Sequence, residues 1–438
     1  MGIARETTEV VSQPPRGLSL RRNFAWTVLG NVTYAACQWG MLVALSKVGS
    51  PTMLGQFALG LAIGAPVMML ANLQLRAVQA TDARNEYRFG EYLGLRLLAT
   101  AVAFAAICLI AWLAGYRWQT ALVVILVGIA KSVESVSDVI YGLMQKCERL
   151  DRIAIAMMLR GLGSVMVFAL ALWLTRSVAW AVTALAAWWS AVLLSYERKT
   201  GSELLKAFGS ADDPFAPAWQ WNRMRQLAWL SLPLGVVMVL ISLNTNIPRY
   251  FVEHYLGEAA LGYFAALAYV MFAGNAVVNA LGQSALPRLA NDAAGEKRRE
   301  FVVLLLRLLG IGAALGAATL AVGWVAGPEI LSLLYRPEYG AHQDAFLWLL
   351  AAAAASYFGS FLGVALTAMR RFQIQMAMHM VTCVVAVAAA SLLVTQYGLA
   401  GAGMAVTATA TFATAVYAVV LAFHLRPGVA LLQKGPAA

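Results

Sequence analysis

Charged residues are scarce in this chain. Aspartate, glutamate, lysine and arginine make up only 12% of its 438 residues, against about 25% in an ordinary soluble domain. That deficit excludes a disordered polyelectrolyte and a conventional soluble protein surface. Histidine and cysteine are rare, at four each. Cys37, Cys108, Cys147 and Cys383 are scattered, three of them inside apolar runs. No spacing makes a metal site or redox pair, so structural thiols are expected. His254, His342, His379 and His424 are equally dispersed. No metal and no cofactor is expected. There is no Walker-type phosphate loop, and Gly310-Ile311-Gly312 lies inside an apolar run with no strand before it, so direct coupling to ATP is not expected. Tyr34-Ala35-Ala36-Cys37 fits a lipoprotein cleavage site poorly, and the apolar run continues past it to Leu45; no cleaved signal peptide is read.

Apolar sequence is abundant instead. Hydrophobic residues make up 61% of the chain, and the mean hydropathy is +0.71. A membrane-crossing helix needs about 20 apolar residues. Twelve runs qualify: 24–46, 53–75, 92–114, 119–144, 152–174, 177–196, 227–247, 259–285, 301–325, 344–368, 373–395 and 398–424. The one long polar connector, 197–226, carries Arg198, Lys199, Lys206, Asp212, Asp213, Arg223 and Arg225 and leaves six runs on each side. The expected division is therefore a cytoplasmic tail (1–23), a six-helix bundle (24–196), a cytoplasmic linker (197–226), a second six-helix bundle (227–424) and a cytoplasmic tail (425–438).

The net charge of +11 would point to nucleic acid in a soluble protein. Here it reports topology. With the N-terminus in the cytoplasm, 23 of the 32 basic residues, among them Arg5, Arg16 and Lys434, fall on cytoplasmic segments. Four lie within spans, and five (Lys47, Arg117, Arg176, Arg249 and Arg336) fall on outer connectors. That asymmetry places both termini inside. Anionic lipid at the inner leaflet is the expected partner of the basic segments. The stretch from Trp219 to Arg225 reads as an interfacial anchor, and no nucleic-acid partner is expected.

The halves resemble each other at two places. Residues Gly49 to Ala58, with Leu54-Gly55, match Gly257 to Ala265, with Leu261-Gly262, allowing one gap. Leu143 to Arg149 resembles Leu366 to Arg371, an apolar helix ending in a basic turn. Both matches keep the same orientation, which makes the repeats parallel, an arrangement suited to two lobes rocking about a central site. Gly60/Gly64, Gly312/Gly316 and Gly359/Gly363 are spaced for close helix packing.

The Leu-Gly-x-Phe-Ala turn into span two, Leu334-Tyr335-Arg336-Pro337-Glu338-Tyr339 before span ten, and Tyr397-Gly398-Leu399-Ala400-Gly401-Ala402-Gly403 entering span twelve carry a family resemblance. Across roughly 24–424 the chain resembles the polysaccharide or O-antigen flippases of the multidrug/oligosaccharidyl-lipid/polysaccharide exporter superfamily. The resemblance implies an all-α integral membrane protein of twelve transmembrane helices in two parallel-repeat six-helix bundles, V-shaped. It implies a non-enzymatic flippase that moves an undecaprenyl-diphosphate-linked oligosaccharide across the bacterial inner membrane by alternating access. O-antigen, capsule or exopolysaccharide biosynthesis would be served, with a polysaccharide polymerase and glycosyltransferases as partners. Twelve spans disfavour the fourteen-span peptidoglycan-precursor flippases.

Ionisable groups within spans are the first candidates for function. Lys131, Glu134 and Asp138 recur at i, i+3 and i+7 of span four and share one helix face. Arg160 lies about 12 Å into span five, at 1.5 Å per residue. In one reading Lys131 and Arg160 meet the diphosphate, and Glu134 or Asp138 exchanges H+ or Na+. In the other, the four lock spans four and five as an ion-pair network. Arg96 and Arg307 lie a few residues from the cytoplasmic ends, where they snorkel to the interface or, with Arg76, attract an anionic headgroup to the cytoplasmic mouth. Asn275, Asn279 and Gln283 form an amide stripe in span eight, and Asn31 and Gln38 another in span one. Such stripes bind sugar hydroxyls or join helices. Two rivals remain open: a cation-coupled multidrug exporter of the same superfamily, and a membrane glycan polymerase or ligase, for which Glu338, His342 and Asp344 are the outer acid/His cluster.

Overall fold

The computed structural model describes residues 19–82, 84–208 and 214–426. Arg5, Arg16, Asp212, Asp213 and Lys434, counted above, lie outside them. The regular elements among the described residues are all helical. The N-terminal half holds α1 (Leu20–Val48), α2 (Pro51–Asn72), α3 (Leu75–Thr81), α4 (Phe89–Leu113), α5 (Trp118–Lys146), α6 (Leu150–Thr175) and α7 (Val178–Val192). A π-helical turn, Leu193–Glu197, joins α7 to α8 (Arg198–Phe208). The C-terminal half holds α9 (Trp221–Ala294), α10 (Arg298–Leu334), α11 (Pro337–Gly340), α12 (Gln343–Ala368) and α13 (Phe372–His424).

Among the described residues, nine helical stretches are long and apolar enough to cross a membrane, which makes the chain a multi-pass membrane protein. Two of the nine, α9 and α13, are each broken by one glycine with a left-handed backbone, Gly257 (φ 84°) and Gly398 (φ 58°). Glycine takes that conformation without the Cβ penalty other residues meet. The charged helix α5 is a further long helix outside those nine.

Several helix ends depart from the apolar runs, because hydropathy marks where apolar side chains stop and not where backbone hydrogen bonding stops. The sixth helix continues beyond residue 196 to Phe208. The run expected at 227–247 begins at Trp221 and stays helical to Gly257, which draws Pro248 and Arg249 inside the helix. Helix α2 stops at Asn72, since Leu73 and Gln74 both take positive φ. Helix α2 starts on Ser50, whose hydroxyl accepts from the Met53 N–H at 3.2 Å, with Pro51 as the first helical residue; both are favoured helix starts.

The helices alternate direction, so the connectors fall at two ends. The connectors near residues 82–88, 147–149, 214–220, 295–297 and 369–371 form the basic end. Those at 49–50, 114–117, 176–177, 257, 335–342 and 398 form the other. Buried apolar side chains make three cores. One is shared by both halves and joins Leu45, Leu54 and Phe57 to Leu261, Phe264 and Phe346. A second, around Tyr92, Met144 and Leu205, belongs to the N-terminal half plus the start of α9. The third, around Phe301, Phe361 and Leu366, belongs to the C-terminal half alone. The shared core lies toward the far end and the separate cores toward the basic end, so the two lobes form a V joined at the far end. Of the small-residue pairs, Gly60 packs on Val127 and Gly316 on Ala354, whereas Gly363 faces open space.

Candidate functional site

Within the spans of the N-terminal lobe, charged groups form two networks that meet on α5. In the first, Lys131 Nζ lies 2.6 Å from Glu134 Oε2, and Tyr34 of α1 donates to Glu134 Oε1 at 3.1 Å. Lys131 and Glu134 stay partly open, with side chains 26% and 32% exposed. Two cations approach the indole of Trp189: the Lys131 ammonium is 5.9 Å from its centroid and the Arg160 guanidinium 5.4 Å. Its N–H donates to Ser164 Oγ at 2.7 Å, and that hydroxyl donates back to the Arg160 carbonyl.

Arg160 itself is sealed, with a side chain 2% exposed, and pairs with the fully buried Glu197 at 2.9 Å. It also donates to Ser137 Oγ, while Tyr141 donates to Glu197 at 2.7 Å. Sequence reading grouped Glu197 with the polar linker and offered Arg160 either as a diphosphate contact or as a member of a network with Lys131, Glu134 and Asp138. Continuation of the helix past residue 196 carries Glu197 into the bundle, where it becomes the ion-pair partner. Burying a charge is tolerable only with a paired, hydrogen-bonded partner, and Arg160 has one.

The second network is centred on Asp138. Arg96 Nη2 donates to it at 3.0 Å, and Arg76 lies 3.7 Å away. Arg96 also donates to Asn72 Oδ1, which accepts from Ser135 Oγ at 2.6 Å. The Arg96 side chain is completely buried, so it does not snorkel to an interface as expected. Proximity to a helix end in sequence does not place a side chain in water when the neighbouring helices α2 and α5 cover it. Arg76, one-third exposed, also donates to Gln145 at 3.0 Å. Arg307 is exposed.

The amides lie apart from these networks. Asn31, Asn279 and Gln283 are exposed and Asn275 is half-buried. None of the four has a hydrogen-bond partner among the described residues.

The far end of the V carries a set of contacts between lobes that no sequence pattern announced. Lys47, at the end of α1, donates to the Leu333 carbonyl at 3.0 Å. Arg336 donates back to the carbonyls of Lys47 and Gly49 at 2.8 and 2.9 Å. Each cation thus caps the C-terminal end of a helix in the opposite lobe, where the helix dipole favours positive charge. Arg176 caps α1 again through the Val48 carbonyl at 3.0 Å. Glu258 accepts from Gln56 at 3.0 Å and from Thr120, and Tyr250 donates to the Ala62 carbonyl. Three of the five basic residues assigned to outer connectors therefore serve as helix caps.

At the basic end, α9 begins clamped to the N-terminal lobe. Arg223 pairs with the buried Glu91 at 3.1 Å and lies 4.8 Å above the Tyr87 ring. Phe89 and Phe215 stack with centroids 4.7 Å apart. Trp219 and Trp221 are exposed, as an interfacial anchor requires.

The two-lobed helical fold has counterparts among solved transporter structures. The chain is similar to a multidrug resistance MATE family transporter of the MOP superfamily in an inward-facing conformation, with a TM-score of 0.70 at 13% identity over 91% of this chain and 98% of that one. It is also similar to a MOP superfamily transporter from Pyrococcus furiosus, with a TM-score of 0.60 at 14% identity over 92% and 95%. Residues 20–291 match the polysaccharide biosynthesis protein family, and the chain belongs to that family. In sequence it is 24% identical to the capsular polysaccharide biosynthesis protein CapF of Staphylococcus aureus, over 88% of this chain and 95% of that one.

Proposed function

We propose that this protein is a flippase for an undecaprenyl-diphosphate-linked oligosaccharide, working by alternating access in the bacterial inner membrane. The family and the capsular relative support a saccharide destined for a surface polysaccharide, with a polymerase and glycosyltransferases acting before and after transfer. The chain crosses the membrane twelve times, as bundles 24–196 and 227–424, with the basic end and both termini in the cytoplasm.

The observation that carries this reading is the division of the cores. The main shared apolar core lies toward the far end, while toward the basic end the cores separate, one in each lobe, with the start of α9 packed on the N-terminal one. A cleft open to the cytoplasm follows. It admits the charged headgroup and glycan while the lipid tail stays in the bilayer. Lys131 is the cation of the first network that remains accessible, so it meets the diphosphate, and Glu134 gives up the ammonium as the phosphate takes it. Arg160 acts from behind, holding Trp189 and the α5–α6 contact in place. The free amides of Asn31, Asn275, Asn279 and Gln283 are available to sugar hydroxyls, and Arg76 and Arg307 draw the headgroup to the mouth. An inside-negative membrane potential favours outward transfer of negative charge by about 2.3 kcal/mol per charge per 100 mV, which makes ATP unnecessary.

Binding of a cationic drug fits less well, because Glu134 and Asp138 are each already engaged by a basic side chain. The test is transfer of a fluorescent undecaprenyl-diphosphate oligosaccharide between leaflets of proteoliposomes. Transfer no faster than in protein-free vesicles overturns the proposal.

A further inference from the structure

A cavity of about 520 Å³ opens between the lobes toward the far end. Ile63 and Val67 of α2 and Ile110 of α4 give it an apolar side from the N-terminal lobe, and residues of α9 around Tyr250 close it from the other. Pro66 also lines it and explains why the lobes touch here. Proline has no N–H, so the carbonyl four residues earlier loses its helical donor. That carbonyl belongs to Ala62, and Tyr250 donates to it from the opposite lobe.

One end of the lining is polar. Tyr116, Phe251 and Tyr255 bring aromatic rings to the cavity, and Glu253 brings a carboxylate. Glu253 makes no hydrogen bond or ion pair among the described residues. Arg249, one helical turn before it, bonds Asn246 instead, and Gln56 and Thr120 are taken up by Glu258. His254, also in the lining, packs edge-on against Tyr255 with centroids 4.8 Å apart and makes no hydrogen bond among the described residues. An unpartnered carboxylate among aromatic rings suits an ammonium group, and an imidazole N–H beside it suits a phosphate oxygen.

This end of the cavity lies where the helices end. Tyr116 sits in the connector after α4, and His254 and Tyr255 come just before the Gly257 break. Trp112 and Trp118, on either side of that connector, are 75% and 72% exposed, and Leu109 and Leu113 are exposed beside them. Exposed tryptophan next to exposed leucine at a helix end marks a membrane surface, the level of lipid headgroups.

We propose that the cavity is a site for a zwitterionic phospholipid, phosphatidylethanolamine. Its ammonium meets Glu253 among the rings, its phosphate accepts from His254, and an acyl chain lies along Ile63, Val67 and Ile110. A lipid seated there touches both lobes and favours the closed far end. It is a resident lipid and not cargo, so the site does not rest on the flippase reading.

The test is native mass spectrometry of the delipidated full-length protein, titrated with phosphatidylethanolamine or phosphatidylglycerol, with thermal melting in parallel. The wild type should hold phosphatidylethanolamine roughly tenfold more tightly, the size of one charge-assisted contact, and melt higher in its presence. Glu253→Gln should bind the two lipids alike. Ile110→Trp, at an exposed position, should weaken both by obstructing the chain, and it carries the test should Glu253→Gln fail to fold. A wild type without preference, the same preference in Glu253→Gln, or unchanged binding in Ile110→Trp overturns the site. Soluble glycerophosphoethanolamine should compete poorly; competition equal to that of the whole lipid would show that the apolar side takes no part and would overturn the lipid assignment.

Discussion

Gly55 and Gly262 occupy equivalent places in the two repeats and pack reciprocally across the lobe boundary. A Cβ on Gly55 would overlap the Glu258 carbonyl, and a Cβ on Gly262 would overlap the Pro51 carbonyl. Pro51 lies four residues before Gly55 and Glu258 four before Gly262, so each contact is the other's image. This is the arrangement a parallel repeat produces when its two copies meet about a pseudo-two-fold axis. It explains why the Leu-Gly pair recurs in both halves: the backbones approach too closely for any side chain.

Gly55→Ala and Gly262→Ala should therefore have matching effects. Each opposes closure of the far end, because the clash is with backbone and not with a side chain that can rotate away. The cost of such overpacking is typically about 1–3 kcal/mol. Spin labels at Trp118 and Gln343 should report a longer distance population in both variants. An effect in one variant only would contradict the reciprocal geometry.

The caps exchanged by Lys47 and Arg336 should hold the same end more weakly. Both side chains are solvated, and a helix-end charge there contributes about 0.3–1 kcal/mol. Arg336→Gln should shift the same spin-label distances in the same direction as the glycine variants, but less, and the shift should shrink at high salt. An unchanged distribution at low salt would show that the caps do not bear on closure.

Arg160 and Glu197 should behave as a structural pair. Breaking a buried ion pair from one side costs about 3–5 kcal/mol, so Arg160→Met and Glu197→Met should each lower the melting temperature clearly. The double variant should recover much of the loss, since it leaves no unpaired buried charge. Additive losses would mean that the two side chains do not act on each other.

How much of this was legible in the sequence depends on the range of the interaction. Lys131 and Glu134 lie one helical turn apart, so spacing alone brought them together. The lobes, the parallel repeat and the glycine at each repeat contact were equally readable, being carried by runs and local motifs. Glu197 was not, because its partner lies on another helix and the surrounding residues look like linker. Arg96 was misplaced for a related reason: depth was judged along the chain, whereas α2 and α5 cover it from the side. Arg249 looked like a connector residue beside Pro248, whereas the backbone of α9 stays helical through it to Gly257. The inter-lobe caps involve side chains nearly 290 positions from the carbonyls they reach, which no periodicity encodes.

Acid should loosen the turn at the basic end that begins with Asp82. Burial pushes this carboxyl up, but the Glu86 and Tyr87 N–H groups and the Lys146 ammonium outweigh it and hold it below its usual value of 3.8. A depressed folded-state value means the stabilisation is present above the unfolded value and is lost as pH falls through the folded one. Amide exchange at Glu86 and Tyr87 should therefore accelerate only below about pH 4. In Asp82→Asn the exchange should already be faster at neutral pH and lose that acid step. An acid step of equal size in the variant would assign it to another group.

The most direct test of the central claim is leaflet transfer in proteoliposomes containing wild type or Lys131→Gln, with a fluorescent undecaprenyl-diphosphate oligosaccharide quenched from outside. Lys131 is accessible and its partner Glu134 is hydrogen-bonded by Tyr34 as well, so the variant should fold. The wild type should bring nearly all of the probe within reach of the quencher, and Lys131→Gln should slow transfer roughly tenfold or more, the loss of one charge-assisted contact. Transfer by wild type no faster than in empty vesicles, or a folded Lys131→Gln that transfers at the wild-type rate, would contradict the account.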